Sequence, residues 1–236
     1  MNFLQIAQRL HRETGRSGSG PASITGASNE HLRLFDAIAD ANRVIELKAE
    51  RYDWKWMRKL LPSTASTDLV SLAYTGATLG AADFGRWRRP SESGGDDLEY
   101  TVKAYLPSAP TNVWQLDFLS YETFRFSYYD TEQAAGNPRH WSISDAEELL
   151  IGPKSSEVHR IKAAYRAGVA ALEDDGDTPT LPSDFHMILV WRALIDMGTF
   201  DAASEVLARA QRNFAEMEHL LIMDQGRSIV FGDSLA

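Results

Sequence analysis

Apolar residues recur along this chain with two different periods, and the changes of period divide it. Phe3, Ile6, Ala7 and Leu10 share a face at helical spacing. With Asn2 and Gln5 as a capping pair and Gly15 as a stop, residues 2–14 predict a short helix. Leu34, Ile38, Ala41 and Ile45 repeat that spacing, with Asp36, Asp40, Arg43 and Glu46 looking outward, and predict a second helix over residues 29–50. From Ser66 to about Arg166 the period becomes two. Leu69, Leu72 and Tyr74 lie in a β-rich run, Leu98, Tyr100, Val102 and Ala104 alternate, and Trp114, Leu116 and Phe118 alternate again. Residues 141–144, 148–151 and 158–165 read as further strands, whereas 121–129 fits either a short helix or an aromatic strand.

Residues 165–194 contain the sharpest corner of the chain. Leu172 is followed by Glu173, Asp174, Asp175, Gly176 and Asp177, then by Pro179 and Pro182, which forbid a continuing helix or central strand. Ser183 stands at an N-cap position and Asp184 in the first turn of a helix expected to stop at Gly198. From Asp201 a last helix carries Ala203, Leu207, Ala210, Phe214, Met217 and Leu221 as a heptad-like seam, and the short connection makes the two helices antiparallel. The expected fold is α+β. A helical pair (1–62) and a C-terminal helical part (167–225) pack as a small bundle, a mainly antiparallel β-rich region (63–166) is inserted, and residues 226–236 form an extended tail.

Composition narrows the function. An apolar content of 44% over 236 residues is that of a folded chain with a real core. The absence of cysteine removes disulfides and thiolate metal sites and fits a reducing compartment. Neither a membrane-spanning run nor a basic segment leading into an apolar leader is found, so neither a membrane nor secretion is expected. A net charge of −9 opposes general affinity for nucleic acid, which rests on Lys and Arg neutralising phosphates.

Catalytic spacing is missing. None of the six histidines forms H-E-x-x-H, no G-x-S-x-G elbow occurs, and the Glu173–Asp177 cluster lacks the order of a calcium loop. The Gly-rich stretch 15–26 follows a helix and carries no Lys, so it reads as a surface loop and not as a phosphate cradle. Trp54 and Trp56 read as plugs between the helices and the following sheet. The run around Arg86, Trp87, Arg88 and Arg89 is the basic cluster with an aromatic. It is either a solvated hairpin connection or a contact with an acidic partner surface or DNA phosphate. His186 reads as a histidine bracing the loop before its helix. An enzyme would have to assemble its site from scattered residues such as Tyr165, Asp177 and His186.

Several short pieces occur together in one order. Phe3-Leu4 with Leu10, the loop 15–28, and Trp54 and Trp56 with Arg58 come first. Tyr121-Glu122, Phe124-Arg125 and Tyr128 follow, then Gly136, Pro138, Leu150, Gly152 and Pro153. Tyr165-Arg166, Leu172, Asp177, Pro179, Leu181-Pro182, Phe185-His186 and Ala193-Leu194 close the series. In this order the chain resembles the head-to-tail adaptor (connector) proteins of tailed bacteriophages over roughly residues 3–194.

That resemblance implies a structural protein of the virion neck, made in the host cytoplasm, with no catalytic residues, cofactor or metal. Its expected partners are the phage portal, a tail or neck protein, and further copies of itself in a ring of twelve through which DNA passes without specific binding. The helices would form the ring wall, and the β region and its loops would face neighbouring subunits and the tail. Arg227, Ile229, Val230 and Phe231 are the expected portal-docking residues, because β-forming apolar residues on a terminus suit strand addition or insertion.

Overall fold

The computed structural model describes residues 1–15, 17–18, 20–89, 101–131, 133–201 and 204–226. Two units divide the chain, one from Met1–Met57 together with the chain from Val169 onward, the other from Arg58–Gly168.

In the first unit the expected helices form where their apolar faces meet. Helix α1 (Phe3–Glu13) opens with the capping box, the Asn2 side chain accepting from the Gln5 N–H at 2.9 Å and the Gln5 side chain from the Asn2 N–H at 3.0 Å. Helix α2 (Asn29–Leu47) is capped by Ser28 and followed by one further turn, α3 (Ala49–Tyr52), which ends in a left-handed Asp53 with φ 47°. Phe3, Ile6, Leu10, Leu34, Phe35 and Ile38 are fully buried together, with the Phe3 ring edge-on to Phe35 at 5.0 Å.

Two helix boundaries differ from the sequence reading. Ser183 is not a side-chain cap: Ser183–Phe185 form a single 3-10 turn, and helix α5 (Met187–Asp201) starts beyond it. Nor does Gly198 stop the helix, because burial of the surrounding apolar positions outweighs the cost of one interior glycine, about 1 kcal/mol. Helix α6 (Ser204–Gln225) then runs back along α5, with Arg209 over the Trp191 ring and Arg192 over the Phe214 ring. Ala210 and Leu221 of the seam are fully buried against Ile188, Leu189 and Leu194.

The β unit begins at Arg58 and contains strands of only two to four residues. One sheet runs β1 (Arg58–Leu60), β10 (Ala164–Ala167), β3 (Phe84–Trp87), all antiparallel. A second joins β2 (Ala73–Tyr74), β8 (Leu149–Gly152), β7 (His140–Ile143) and β6 (Asp117–Phe118), the last pair parallel. A third joins β5 (Trp114–Gln115), β4 (Lys103–Tyr105) and β9 (Arg160–Lys162).

Several long alternating runs are therefore broken. Residues 67–71 turn before β2, Leu116 steps between β5 and β6, and Ala163 separates β9 from β10. Leu98 and Tyr100 of the second run lie outside the described residues. The segment left open is a helix, α4 (Tyr121–Tyr128), capped by Ser120, whose hydroxyl accepts from the Thr123 N–H. Its Phe124 is buried, and Tyr128 lies so close over Gly152 that a Cβ there would sit 2.7 Å from the ring. A second close approach joins β3 to β10, where a Cβ on Gly85 would meet the Gly168 backbone nitrogen at 2.8 Å.

Candidate interaction surfaces

The acidic corner of residues 173–177 is a structural clamp. The Asp177 carboxylate accepts from the Glu173 and Asp174 N–H groups, both at 2.7 Å, and these bonds hold its pKa below the ordinary value. Asp175 accepts from the Ser23 hydroxyl at 2.6 Å and the Ile24 N–H at 2.7 Å, tying the Gly-rich loop to the corner. The backbone carbonyls of Asp177 and Asp175 accept from the first N–H groups of α1, those of Phe3 and Leu4. Among the described residues no group of three or more His, Cys, Asp or Glu could hold a metal ion.

His186 does brace the loop ahead of its helix. Its Nε2 lies 2.9 Å from the Leu181 carbonyl, its ring is buried, and burial outweighs that hydrogen bond and lowers its pKa. Glu46 corrects the sequence reading: expected on the outward face of α2, it is 1% exposed. One oxygen accepts from the Thr180 hydroxyl at 2.6 Å, and the Ala170 backbone and the Asn42 side chain also lie against the carboxylate. Burial raises its pKa against the opposing hydrogen bonds. Trp54 is corrected as well. It belongs to the helical core, where its Nε1–H donates to the Ile45 carbonyl at 2.9 Å and its ring stacks on Trp56.

The basic run at Arg86–Arg89 is no hairpin connection. Arg86 and Trp87 lie in β3, and the Trp87 ring enters the core beside Tyr165 and Phe84. Its Nε1–H donates to the Glu147 carbonyl at 3.0 Å, and Arg89 pairs with the Glu147 carboxylate at 2.7 Å. Glu147 supplies both contacts from a left-handed turn, φ 56°, between β7 and β8. Arg88 is buried, so Arg89 is the member of the run most open to solvent.

Tyr165 donates to Asp83 at 2.6 Å, and Asp83 pairs with Lys59. Burial, with the adjacent carboxylate, pushes the Tyr165 phenol up to about 12. Burial alone would raise Asp83 too, but Lys59 and the phenol outweigh it and lower its pKa. Tyr165 thus lies in the β unit and Asp177 and His186 in the helical unit, each occupied by local bonds. Arg227, Ile229, Val230 and Phe231 lie outside the described residues.

Large apolar side chains in solvent mark different places. On α4 and the strand before it, Phe118, Phe126 and Tyr129 are 45%, 71% and 53% exposed. At the end of α6, Leu220 and Met223 are exposed. Leu60, also in the β unit, is the most open of the large apolar side chains among the described residues, at 76%.

A turn at residues 68–71 holds two more. The Asp68 carboxylate accepts from the Val70 and Ser71 N–H groups and from the Ser71 hydroxyl, and Tyr74 closes the turn from beneath. Leu69 and Val70 project from it. The segment expected as part of a β-rich run is thus a turn, and its signal in the sequence is Asp68 followed at the third position by Ser71, the pattern of an Asx turn.

The chain matches the SU10 adaptor protein family over residues 1–230. It belongs to that family, a family of phage head-tail adaptors. A comparison with curated proteins finds no match. Membership of the SU10 adaptor family implies a virion component of a structural kind, associated with portal and tail proteins. Among its described residues no helix is long and apolar enough to cross a membrane.

Proposed function

We propose that this SU10 adaptor is a ring-forming protein of the virion neck, seated between portal and tail, with DNA passing along the ring axis. The observation that carries the proposal is the family match across nearly the whole chain. The exposed apolar side chains of both units support it, since such groups are what subunit contacts bury. The ring is cyclic and, by match to the portal, twelvefold, so each subunit uses two different patches for its two neighbours.

At −9 per chain, twelve copies bring roughly a hundred negative charges around the axis. A bore lined by that charge repels phosphate and lets DNA slide. Residues 227–231 dock on the portal, where each buried Ile, Val or Phe contributes roughly 1.5–3 kcal/mol and repetition around the ring multiplies the effect.

Light scattering behind size-exclusion chromatography tests the proposal on the full chain, alone and mixed with portal. A complex of ring stoichiometry is expected on mixing. Deleting residues 226–236 should abolish portal binding while circular dichroism and thermal melting stay unchanged. Portal binding at undiminished affinity by the truncated chain would refute the docking role of that tail, and a chain that stays monomeric with portal present would refute the ring.

A further inference from the structure

In the β unit, Lys103 of β4 stands directly opposite Lys162 of β9. Like charges at directly opposed positions repel, so the pair raises the energy of the sheet unless an anion lies between or above them. The Lys162 ammonium gains some relief from the Tyr105 ring, 5.0 Å away. Both lysines line a cleft of about 380 Å³ whose other walls include Leu60, Leu61, Pro62 and Ala163. Among the described residues no acidic side chain lines it. The cleft therefore offers two cations above an apolar floor, and Leu60 leaves that floor in solvent.

The same unit carries the opposite shape and charge in the turn at residues 68–71. Leu69 and Val70 are 52% and 72% exposed, on a backbone fixed by the Asp68 carboxylate. Hydrogen bonds from Val70, Ser71 and Tyr74 hold that carboxylate, which stays exposed and carries its charge toward an approaching cation. A turn already hydrogen-bonded in the free chain has less conformational entropy to lose on docking than an open loop.

We propose that the Asp68–Ser71 turn of one copy enters the Lys103/Lys162 cleft of the next, with Leu69 and Val70 on Leu60 and Pro62 and Asp68 facing the two ammonium groups. The turn (Asp68–Ser71) and the cleft wall (Leu60–Ser63) are different residues of one subunit, so the contact is heterologous, as a closed ring requires. A second copy fits better than nucleic acid, because phosphate has no use for an apolar floor and the chain's net charge of −9 opposes DNA. The inference rests on the ring reading above and names the surfaces that would make the ring.

The chain contains no cysteine, so pairs can be placed at will. Val70→Cys and Ser63→Cys, each in the full chain, would be mixed, assembled with portal and oxidised. Covalent dimers are expected from the mixture, a ladder of larger species from the double variant, and neither from a single variant alone. Asp68→Asn, which keeps the acceptor oxygen of the turn and removes its charge, should weaken self-association about tenfold, as should Lys103→Gln with Lys162→Gln. Thermal melts confirm that each variant folds.

Rings that assemble normally without any cross-link would overturn this interface and leave the ring reading standing. A wild-type chain that stays monomeric even with portal would overturn both. Lysine variants that lose retardation of duplex DNA in a native gel, with self-association unchanged, would make the cleft a phosphate site and overturn the proposal.

Discussion

The two units of this SU10 adaptor solve the problem of burial in different ways. In the helical unit long amphipathic faces meet in one continuous core, and several polar groups drawn inside are bound: His186 to Leu181, Trp54 to Ile45, Glu46 to Thr180. In the β unit strands of two to four residues form three small sheets, and their core depends on a few large rings such as Trp87, Trp141 and Tyr165. That unit also buries His159, whose ring meets Trp114 edge-on, and leaves Leu60, Val70 and Phe126 largely in water. One unit rests on long helix faces and the other on short strands around large rings, and both leave apolar side chains in solvent, which suits a protein that meets neighbours.

The comparison can be broken most strongly from the helical side. Trp54→Ala removes a fully buried indole and leaves the Ile45 carbonyl unpaired. A loss of about 3–5 kcal/mol is expected, read by urea denaturation followed by far-ultraviolet circular dichroism. A loss below about 1 kcal/mol would mean that the aromatic cluster is not part of the helical core.

A smaller effect is expected at the crossing of β3 and β10. Gly85→Ala places a Cβ against the Gly168 backbone, and backbone cannot move aside as a side-chain tip can. Overpacking of this kind costs about 1–3 kcal/mol. Hydrogen exchange should show faster opening in residues 84–87 and 164–167, with the amides of α1 and α2 unchanged.

The smallest effect sharpens the contrast through pH. Burial lowers the pKa of His159, outweighing the pull of Glu157 in the other direction, from an ordinary value of 6.5. The folded ring is then neutral over a range in which the unfolded chain takes up a proton. Stability therefore falls as pH drops below about 6.5 toward the lowered folded value. His186 is lowered by burial as well and adds to the same slope. His159→Leu should flatten part of that slope, because it removes the group that titrates there. Asp68 and Asp83 act in a separate, more acidic window, and the stability they add is lost only as pH falls through values below 3.8.

How legible the molecule was in its sequence differs between the units for a physical reason. Phe3, Ile6 and Leu10, or Leu34, Ile38 and Ile45, declare a helix because each face extends over several turns and looks in one direction. Strands as short as Ala73–Tyr74 or Asp117–Phe118 contain no full cycle of alternation, so runs that looked continuous were in fact broken by turns. Glu46 was misplaced because its neighbours in sequence say nothing of Thr180 and Ala170, which close over it. Trp87 looked like an exposed aromatic among arginines for the same reason: Glu147 and Tyr165, its companions in space, are far away along the chain.

Sequence alone determined the α+β class, the helices with their apolar faces, the capping box at Asn2, the corner at residues 173–182 and the resemblance to phage adaptors. Each of these depends on neighbours within a few turns or on a fixed order of residues. Tertiary structure alone decided that Lys103 faces Lys162, that Asp83 binds Tyr165, and that Leu60 remains in solvent while Glu46 does not. Strand register and burial are set by segments distant in the chain, and no local pattern encodes which of them will meet.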